Sequence, residues 1–117
     1  MVQQARRREV LTVVEDQIGS PTFTKDLVQQ ISALLGCGAY GLYHTAGLGA
    51  VSRLQWAQKI LDLTGLSKQC RLEPITSAQL AQLARRPANS VLDNLALRLE
   101  GLNRLRPWEE GLEEYFS

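Results

Sequence analysis

The fold is decided by residues 10–24, which read Val-Leu-Thr-Val-Val-Glu-Asp-Gln-Ile-Gly-Ser-Pro-Thr-Phe-Thr. The β-branched run at residues 10–14 predicts a buried strand. Gly19 and Pro21 then interrupt regular structure. Thr24 is predicted to cap an amphipathic helix over Lys25–Leu35, in which leucine and isoleucine recur at helical spacing. A strand, a turn and a helix therefore follow one another near the start of the chain.

The rest of the chain continues this alternation of strand and helix signals. The pattern predicts a helix stop at Gly36, then a strand over Leu42–Ala46, and then a helix that the capping box of Ser52 and Gln55 opens and Gly65 closes. A strand over Arg71–Ile75 is predicted next, followed by a short helix that opens at Thr76 and Gln79 and stops at Pro87. The last two predicted helices are one over Leu92–Leu102, capped at Ser90 or Asp93, and a final one with Pro107 at its first position and Trp108, Leu112 and Tyr115 on its inner face. Strands that alternate with helices are typical of an α/β fold with some parallel pairing.

Length and composition limit the class of protein. The chain has 117 residues and is 44% hydrophobic, which is enough to bury one core without disulfides. Its 13 basic residues balance 12 acidic ones, so nucleic acid and membrane surfaces are not expected partners. No apolar run reaches the roughly 20 residues of a membrane span. Cys37 and Cys70 set no disulfide framework, so a reduced, cytoplasmic setting is expected.

Several phrases occur in a fixed order along the chain. They are Asp-Gln-Ile-Gly-Ser-Pro-Thr-Phe-Thr at 16–24, Tyr-His-Thr-Ala-Gly at 43–47, Glu-Pro-Ile-Thr at 73–76, Arg-Arg-Pro-Ala-Asn-Ser-Val-Leu-Asp at 85–93 and Leu-Arg-Pro-Trp-Glu-Glu-Gly-Leu at 105–112. Together they resemble the carboxy-terminal third of dTDP-4-dehydrorhamnose reductase, an extended short-chain dehydrogenase/reductase. The resemblance runs from about Arg8 to Phe116.

The resemblance implies a fold and a substrate class. The implied fold is a small, three-layer-like fragment of the reductase, with a few short, partly parallel strands packed against about four to five helices. It implies that residues 1–117 form a single domain, the substrate-binding portion, with the Rossmann cofactor-binding portion absent. The implied substrate is dTDP-4-dehydrorhamnose. NADPH is the cofactor implied for the full-length family, and no cofactor is expected in this chain.

The residues that carry out reduction in the family have no counterpart in this sequence. The family uses a Tyr-x-x-x-Lys pair, and none of Tyr40, Tyr43 and Tyr115 has a lysine four residues later. Gly36–Gly41 matches the dinucleotide pattern G-x-G-x-x-G, but a predicted helix precedes it and a predicted strand follows. That order is the reverse of the one that delivers glycines to a pyrophosphate. We therefore expect no catalytic residue and no turnover by the chain alone.

The single histidine and the two cysteines do not predict a metal site. His44, Cys37 and Cys70 match no standard zinc-ligand spacing. His44 lies in a predicted strand, where a packed or hydrogen-bonded histidine is the favoured interpretation over a catalytic one.

The remaining chemistry is that of binding. The predicted substrate-binding residues are Gln17, Gly19, Ser20, Thr22, Arg86 and Asn89. An amide, two hydroxyls and a turn glycine suit sugar or base hydroxyls, and guanidinium groups bind diphosphate oxygens bidentately. The resemblance implies that the Arg-Pro step contacts the nucleotide diphosphate, which favours Arg86 over its neighbour Arg85. A loop that leads into the next helix explains the same phrase equally well, so binding and structure remain alternatives.

Three functions follow as hypotheses. The first is the dTDP-sugar-binding portion of an NADPH-dependent reductase of dTDP-rhamnose biosynthesis. The second is a non-catalytic interaction or regulatory module, since the same family includes a regulatory subunit of methionine adenosyltransferase; a homo-oligomer through an exposed sheet edge or apolar face belongs to this hypothesis. The third is nucleic-acid binding through Arg6–Arg8, for which a solvated last helical turn is the favoured alternative.

Overall fold

The computed structural model describes residues 1–80, 84 and 86–117. In chain order the elements are α1 (Val2–Ala5), β1 (Val10–Val14), β2 (Ile18–Gly19), α2 (Thr24–Cys37), β3 (Val51–Ser52), α3 (Arg53–Leu63), β4 (Arg71–Ile75), a 3₁₀ turn (Ser77–Gln79), α4 (Leu95–Leu99) and α5 (Trp108–Phe116). The part of the chain so described has five α-helices and both parallel and antiparallel strand pairs. The predicted α/β class with partial parallel pairing is confirmed.

The chain divides into two compact units. Unit 1 comprises Met1–Gly19 and Val51–Ser90 together with Phe116, and unit 2 comprises Ser20–Ala50 and Val91–Tyr115 together with Ser117.

Unit 1 is built around the parallel pair of β1 and β4. Val10 lies opposite Arg71 and Val14 opposite Ile75, so the two strands end at the same edge. Helix α3 packs against both strands, as parallel pairs require a covering helix. Its core is a cluster of small and aliphatic side chains: Ala5, Leu11, Leu61, Leu66 and Cys70, with Val2 and Leu72 packed against them.

Unit 2 consists of α2, α4 and α5 with long stretches of irregular backbone. Its buried apolar side chains include Ala46, Leu97 and Leu105. Three polar side chains are buried with them, namely Asp26, Gln30 and Asn94. Buried irregular backbone needs hydrogen-bond partners, and polar side chains supply them here: Gln30 Nε2 donates to the Leu102 carbonyl at 3.1 Å, and Gln30 Oε1 accepts from Arg104 N–H at 2.8 Å.

The predicted strand over Leu42–Ala46 is wrong. These residues have no strand structure, because the side chain of Asn94 takes the place of a neighbouring strand. Asn94 Nδ2 donates to the Ala46 carbonyl at 2.7 Å, and Asn94 Oδ1 accepts from Ala46 N–H at 2.9 Å. His44 is therefore not a strand residue, and it is exposed rather than packed.

Several predicted helix ends are shifted. Helix α2 passes the predicted stop at Gly36 and ends at Cys37, because Gly38 adopts the left-handed conformation at φ 70°. The same helix begins at Thr24 with Phe23 as its N-cap, so Thr24 is not the cap. The capping box of Ser52 and Gln55 is confirmed at the start of α3.

The carboxy-terminal helices are shorter than predicted. Helix α4 covers only Leu95–Leu99 and begins after Asn94, and Gly101 at φ 65° follows its end. Pro107 is the N-cap of α5 rather than its first residue, and Tyr115 is 70% exposed rather than on an inner face.

The helix predicted to open at Thr76 is a 3₁₀ turn over Ser77–Gln79. The Gln79 side chain accepts from Thr76 N–H at 2.8 Å, which bears out part of the capping prediction. Leu80, Ala84 and Arg86 are not helical, and the other residues of that predicted helix, 81–83 and 85, lie outside the described residues.

Candidate functional site

The carboxyl end of β1 leads directly into the predicted binding residues Gln17 and Gly19, and the parallel strand β4 ends beside it. β1 ends at Val14, just before Asp16 and Gln17, and β4 ends at Ile75, just before Ser77. In open α/β sheets, ligands bind outside the carboxyl ends of parallel strands. This edge is therefore the candidate site.

Two further segments of unit 1 converge on Ile18. Ile18 N–H donates to the Ala88 carbonyl at 2.8 Å, and the Ile18 carbonyl accepts from Ser90 N–H at 2.9 Å. Ile18 and Asn89 thus form an isolated parallel bridge. On the antiparallel partner β3, Ser52 lies opposite Ile18. The structure therefore brings two of the quoted phrases, 16–24 and 85–93, into direct contact.

Gln17 is held by unit 1 through both its backbone and its side chain. The residue is 5% exposed. Its carbonyl accepts from Arg53 N–H at 3.0 Å, which ties it to the first residue of α3. Its Nε2 donates to Ser77 Oγ at 3.0 Å. The amide is fixed in place by the protein, as a preorganised binding group must be.

Asp16 and Ser77 form a contact that the sequence analysis did not identify. Ser77 Oγ donates to Asp16 Oδ1 at 2.6 Å, and Ser77 N–H lies 2.9 and 3.0 Å from the two carboxylate oxygens. The hydrogen bonds from Ser77 lower the pKa of Asp16 below its usual range. The sequence pattern that would have predicted this contact is an aspartate and a serine that each follow one of two parallel strands.

Gly19 allows a close approach of the chain. A Cβ atom at this position would lie 3.1 Å from Ser90 Oγ, so a side chain would require Ser90 to move. Its backbone is not in the left-handed region. Close packing against residue 90, rather than conformational freedom, explains the glycine.

Arg86 and Asn89 lie on the surface of unit 1. Both are exposed, and Arg86 is two residues before the carbonyl of Ala88 that binds Ile18. Asn89 forms the bridge to Ile18. Arg85, the other arginine of the phrase, lies outside the described residues.

Ser20 and Thr22 belong to unit 2 and have structural partners there. Ser20 Oγ donates to the Gly49 carbonyl at 2.8 Å, and Thr22 Oγ1 accepts from Gly47 N–H at 2.9 Å. Gly47 is required at its position, because a Cβ would lie 2.1 Å from the Pro21 carbonyl oxygen. Ligand contact by these two hydroxyls stays a prediction.

A charge network in unit 2 was also missed. Glu114 of α5 accepts from Lys25 and from Arg106, each at 2.8 Å. Arg106 also donates to Asp26, which is 4% exposed, at 2.7 Å. The hydrogen bonds that Arg106 donates to Asp26 and then to Glu114 raise the pKa of Arg106. Because a buried carboxylate must be paired, this network has a structural role.

The described residues also bear on a metal site, a dinucleotide-binding loop and a membrane-spanning helix. No cluster of three or more His, Cys, Asp or Glu side chains within them is arranged to hold a metal ion. Gly36 lies inside α2, and no helix starts at Gly41 in the described structure. None of the described helices has the length and apolar character needed to cross a bilayer.

Solved structures have the same fold. A dTDP-4-dehydrorhamnose reductase from Bacillus anthracis strain Ames, solved in complex with NADP, superposes with a TM-score of 0.92 at 35% identity, over 98% of this chain and 40% of that one. A dTDP-4-dehydrorhamnose reductase from Clostridium acetobutylicum superposes with a TM-score of 0.93 at 33% identity, over 97% of this chain and 40% of that one. The fold is thus that of part of a dTDP-4-dehydrorhamnose reductase.

Sequence comparison gives the family. The profile of the RmlD substrate binding domain matches residues 1–117. A spore coat polysaccharide biosynthesis protein of Bacillus subtilis is 36% identical over all of this chain and 40% of its own length. A dTDP-4-dehydrorhamnose reductase of Streptomyces griseus is 35% identical over 99% of this chain and 40% of its own length. The chain belongs to the RmlD substrate binding domain family, and it spans about 40% of the length of these relatives.

Proposed function

We propose that unit 1 binds the nucleotide part of a dTDP-sugar at the carboxyl edge of β1 and β4. The observation that carries this proposal is the convergence of residues 16–19 with residues 88–90 at that edge, through Ile18 and its hydrogen bonds to Ala88 and Ser90. Polar groups from two distant phrases meet where an α/β sheet ordinarily binds ligands. Membership of a family described as a substrate binding domain supports the same site.

Each residue has a distinct proposed role. The guanidinium of Arg86 pairs with the diphosphate, for which a bidentate, permanently charged donor is well suited. Asn89 adds an amide hydrogen bond, and Gly19 lets the backbone approach the ligand. Gln17 supplies an oriented amide. For Ser20 and Thr22, hydroxyl contact with a dTDP-sugar stays a prediction.

The activity proposed for the family member as a whole is reduction of dTDP-4-dehydro-L-rhamnose to dTDP-L-rhamnose with NADPH. Three of the compared proteins carry the reductase name, and one was solved with NADP. Residues 1–117 act as its substrate-binding portion. Without a Tyr-x-x-x-Lys pair in this sequence, the 117-residue chain alone binds but does not turn over. The free thiols of Cys37 and Cys70 fit a reducing compartment, so we assign the cytoplasm.

Calorimetric titration with dTDP tests the binding role. The wild-type chain is expected to bind, and Arg86→Ala is expected to weaken binding by roughly tenfold, because a charge-assisted hydrogen bond contributes about 1.5–3 kcal/mol when desolvated and less on the surface. Arg7→Ala is the matched control, since Arg7 is also exposed and lies near the other end of β1. Equal affinities for the wild type and Arg86→Ala remove Arg86 from the site, and no heat with any variant rejects dTDP binding.

A second function, self-association or partner binding, is favoured by the apolar face of α2 in unit 2. Val28, Ile31 and Leu35 recur at helical spacing and are 62%, 45% and 83% exposed. Such a stripe on a helix is typical of an interaction surface. Light scattering tests it: concentration-dependent dimers that Leu35→Lys abolishes support this function, and a monomer at every concentration counts against it.

A further inference from the structure

A chain of hydrogen bonds at the carboxyl edge of unit 1 has a fixed direction. Gln17 Nε2 donates to Ser77 Oγ at 3.0 Å, and Ser77 Oγ donates to Asp16 Oδ1 at 2.6 Å. An ionised carboxylate only accepts hydrogen bonds, whereas a hydroxyl has a single proton to donate. Because Ser77 donates that proton to Asp16, its oxygen can only accept a hydrogen bond from Gln17.

The direction of these hydrogen bonds determines the orientation of the Gln17 side-chain amide. Its NH₂ group must point to Ser77, and its carbonyl oxygen, Oε1, must point elsewhere. Within the described part of the chain no group donates to Oε1. Within the described residues, its lone pairs are therefore available to a hydrogen-bond donor.

We propose that Ser77, backed by Asp16, is a positioning residue that orients Gln17 so that its amide oxygen accepts a hydrogen bond from the bound ligand. This inference rests on the proposed function. The ligand group must therefore be a donor, N–H or O–H. A dTDP-sugar offers three such kinds of group, the imide N–H of thymine, the 3′-hydroxyl of the deoxyribose and the hydroxyls of the attached sugar, and all share this donor chemistry.

The orientation is tested first without a ligand. In the ¹⁵N-labelled chain, the two side-chain NH₂ protons of Gln17 are expected to give separate, exchange-protected signals, because one of them is held by Ser77. Ser77→Ala is expected to lose the protection and Ser77→Thr, which keeps the hydroxyl, to retain it. Ser67→Ala is the matched control, since Ser67 is an exposed serine of the same unit. Unchanged Gln17 protection in Ser77→Ala overturns the proposal.

The ligand arm uses dTDP, its N3-methyl derivative and dTDP-glucose. If thymine supplies the donor, the wild type prefers dTDP over the N3-methyl compound, and Ser77→Ala removes most of that preference while weakening dTDP binding roughly three- to tenfold. If the attached sugar supplies it, Ser77→Ala removes the higher affinity of dTDP-glucose over dTDP. If the 3′-hydroxyl of the deoxyribose supplies it, Ser77→Ala weakens binding of all three compounds by the same factor and leaves both preferences in place. Ser77→Thr restores either preference, which a purely structural role of Ser77 does not explain.

The outcomes separate the two proposals. No binding of any of the three compounds by the wild type rejects the proposed function and leaves the Gln17 signals to decide on the orientation. Binding of all three compounds with the same affinities in the wild type and Ser77→Ala rejects the role of Ser77 and leaves the proposed function in place. A loss in Ser77→Ala that Ser77→Thr does not restore also rejects it.

Discussion

Gln30 is the residue whose removal most sharply tests how unit 2 is stabilised. It lies on α2 with 0% of its surface exposed. Its amide holds two backbone groups of the loop after α4, the Leu102 carbonyl at 3.1 Å and Arg104 N–H at 2.8 Å. Gln30→Ala leaves both groups without their partner and opens a space the size of the lost amide.

The expected loss of stability follows from these two contacts. A lost hydrogen bond that leaves its partner unsatisfied costs about 1–3 kcal/mol. The lower value applies to each bond, because both are only partly buried. Lost packing of the side chain adds about 1 kcal/mol. Gln30→Ala should therefore lower the free energy of unfolding by about 3 kcal/mol, a large part of the total for a domain of this size.

Urea unfolding followed by circular dichroism measures this difference. Gln29→Ala is the control, because Gln29 is the preceding residue of the same helix and is exposed; its effect should stay within about 0.5 kcal/mol. If Gln30→Ala also stays within that range, the two hydrogen bonds do not stabilise unit 2 and the reasoning is refuted.

Three further predictions concern stability. Gly47→Ala should lower the free energy of unfolding by about 3 kcal/mol, because its Cβ would lie 2.1 Å from a backbone carbonyl oxygen. Gly36→Ala, whose Cβ would have nothing within 4 Å, should instead stabilise α2 by about 0.5 kcal/mol. Urea unfolding that ranks the two variants in the other order contradicts this prediction. Asn94→Ala should cost about 2–3 kcal/mol in the same assay through two lost buried hydrogen bonds, and a loss under 1 kcal/mol would count against it. Hydrogen bonds from Lys25 and then from Arg106 lower the pKa of Glu114. The stabilisation that ionised Glu114 gives is therefore present at neutral pH and is lost as the pH falls through that lowered pKa. Glu114→Gln should reduce the fall in melting temperature over this acidic range, and an unchanged curve of melting temperature against pH refutes the prediction.

The elements with strong local signals could be predicted from the sequence. The β-branched run at β1 and the capping box of Ser52 and Gln55 depend on neighbouring residues only. The strand and the capping box are both confirmed, but only Leu11 and Val14 of the predicted buried strand are buried. The strand predicted over Leu42–Ala46 failed because its backbone partner is a side chain from residue 94. A partner that lies 48 residues away leaves no local pattern.

The candidate site was predictable in its residue types and less so in its contacts. The phrases that contain Gln17 and Asn89 were identified, and the structure brings their segments together through Ile18. The role of Asp16 was missed, because it depends on β1 and β4 being neighbours in parallel register. Register between strands 61 residues apart is a property of the folded chain and not of either strand alone.

The most direct measurement of the binding site is a titration of the ¹⁵N-labelled chain with dTDP, followed by the backbone amide signals. The proposed site predicts saturable shifts at residues 17–19, at Ser77 and at residues 88–90, with little change at Arg6–Arg8 at the other end of β1. Shifts that concentrate at Arg6–Arg8, or no saturable shift at residues 17–19 and 88–90, would contradict a dTDP site at the carboxyl edge of β1 and β4.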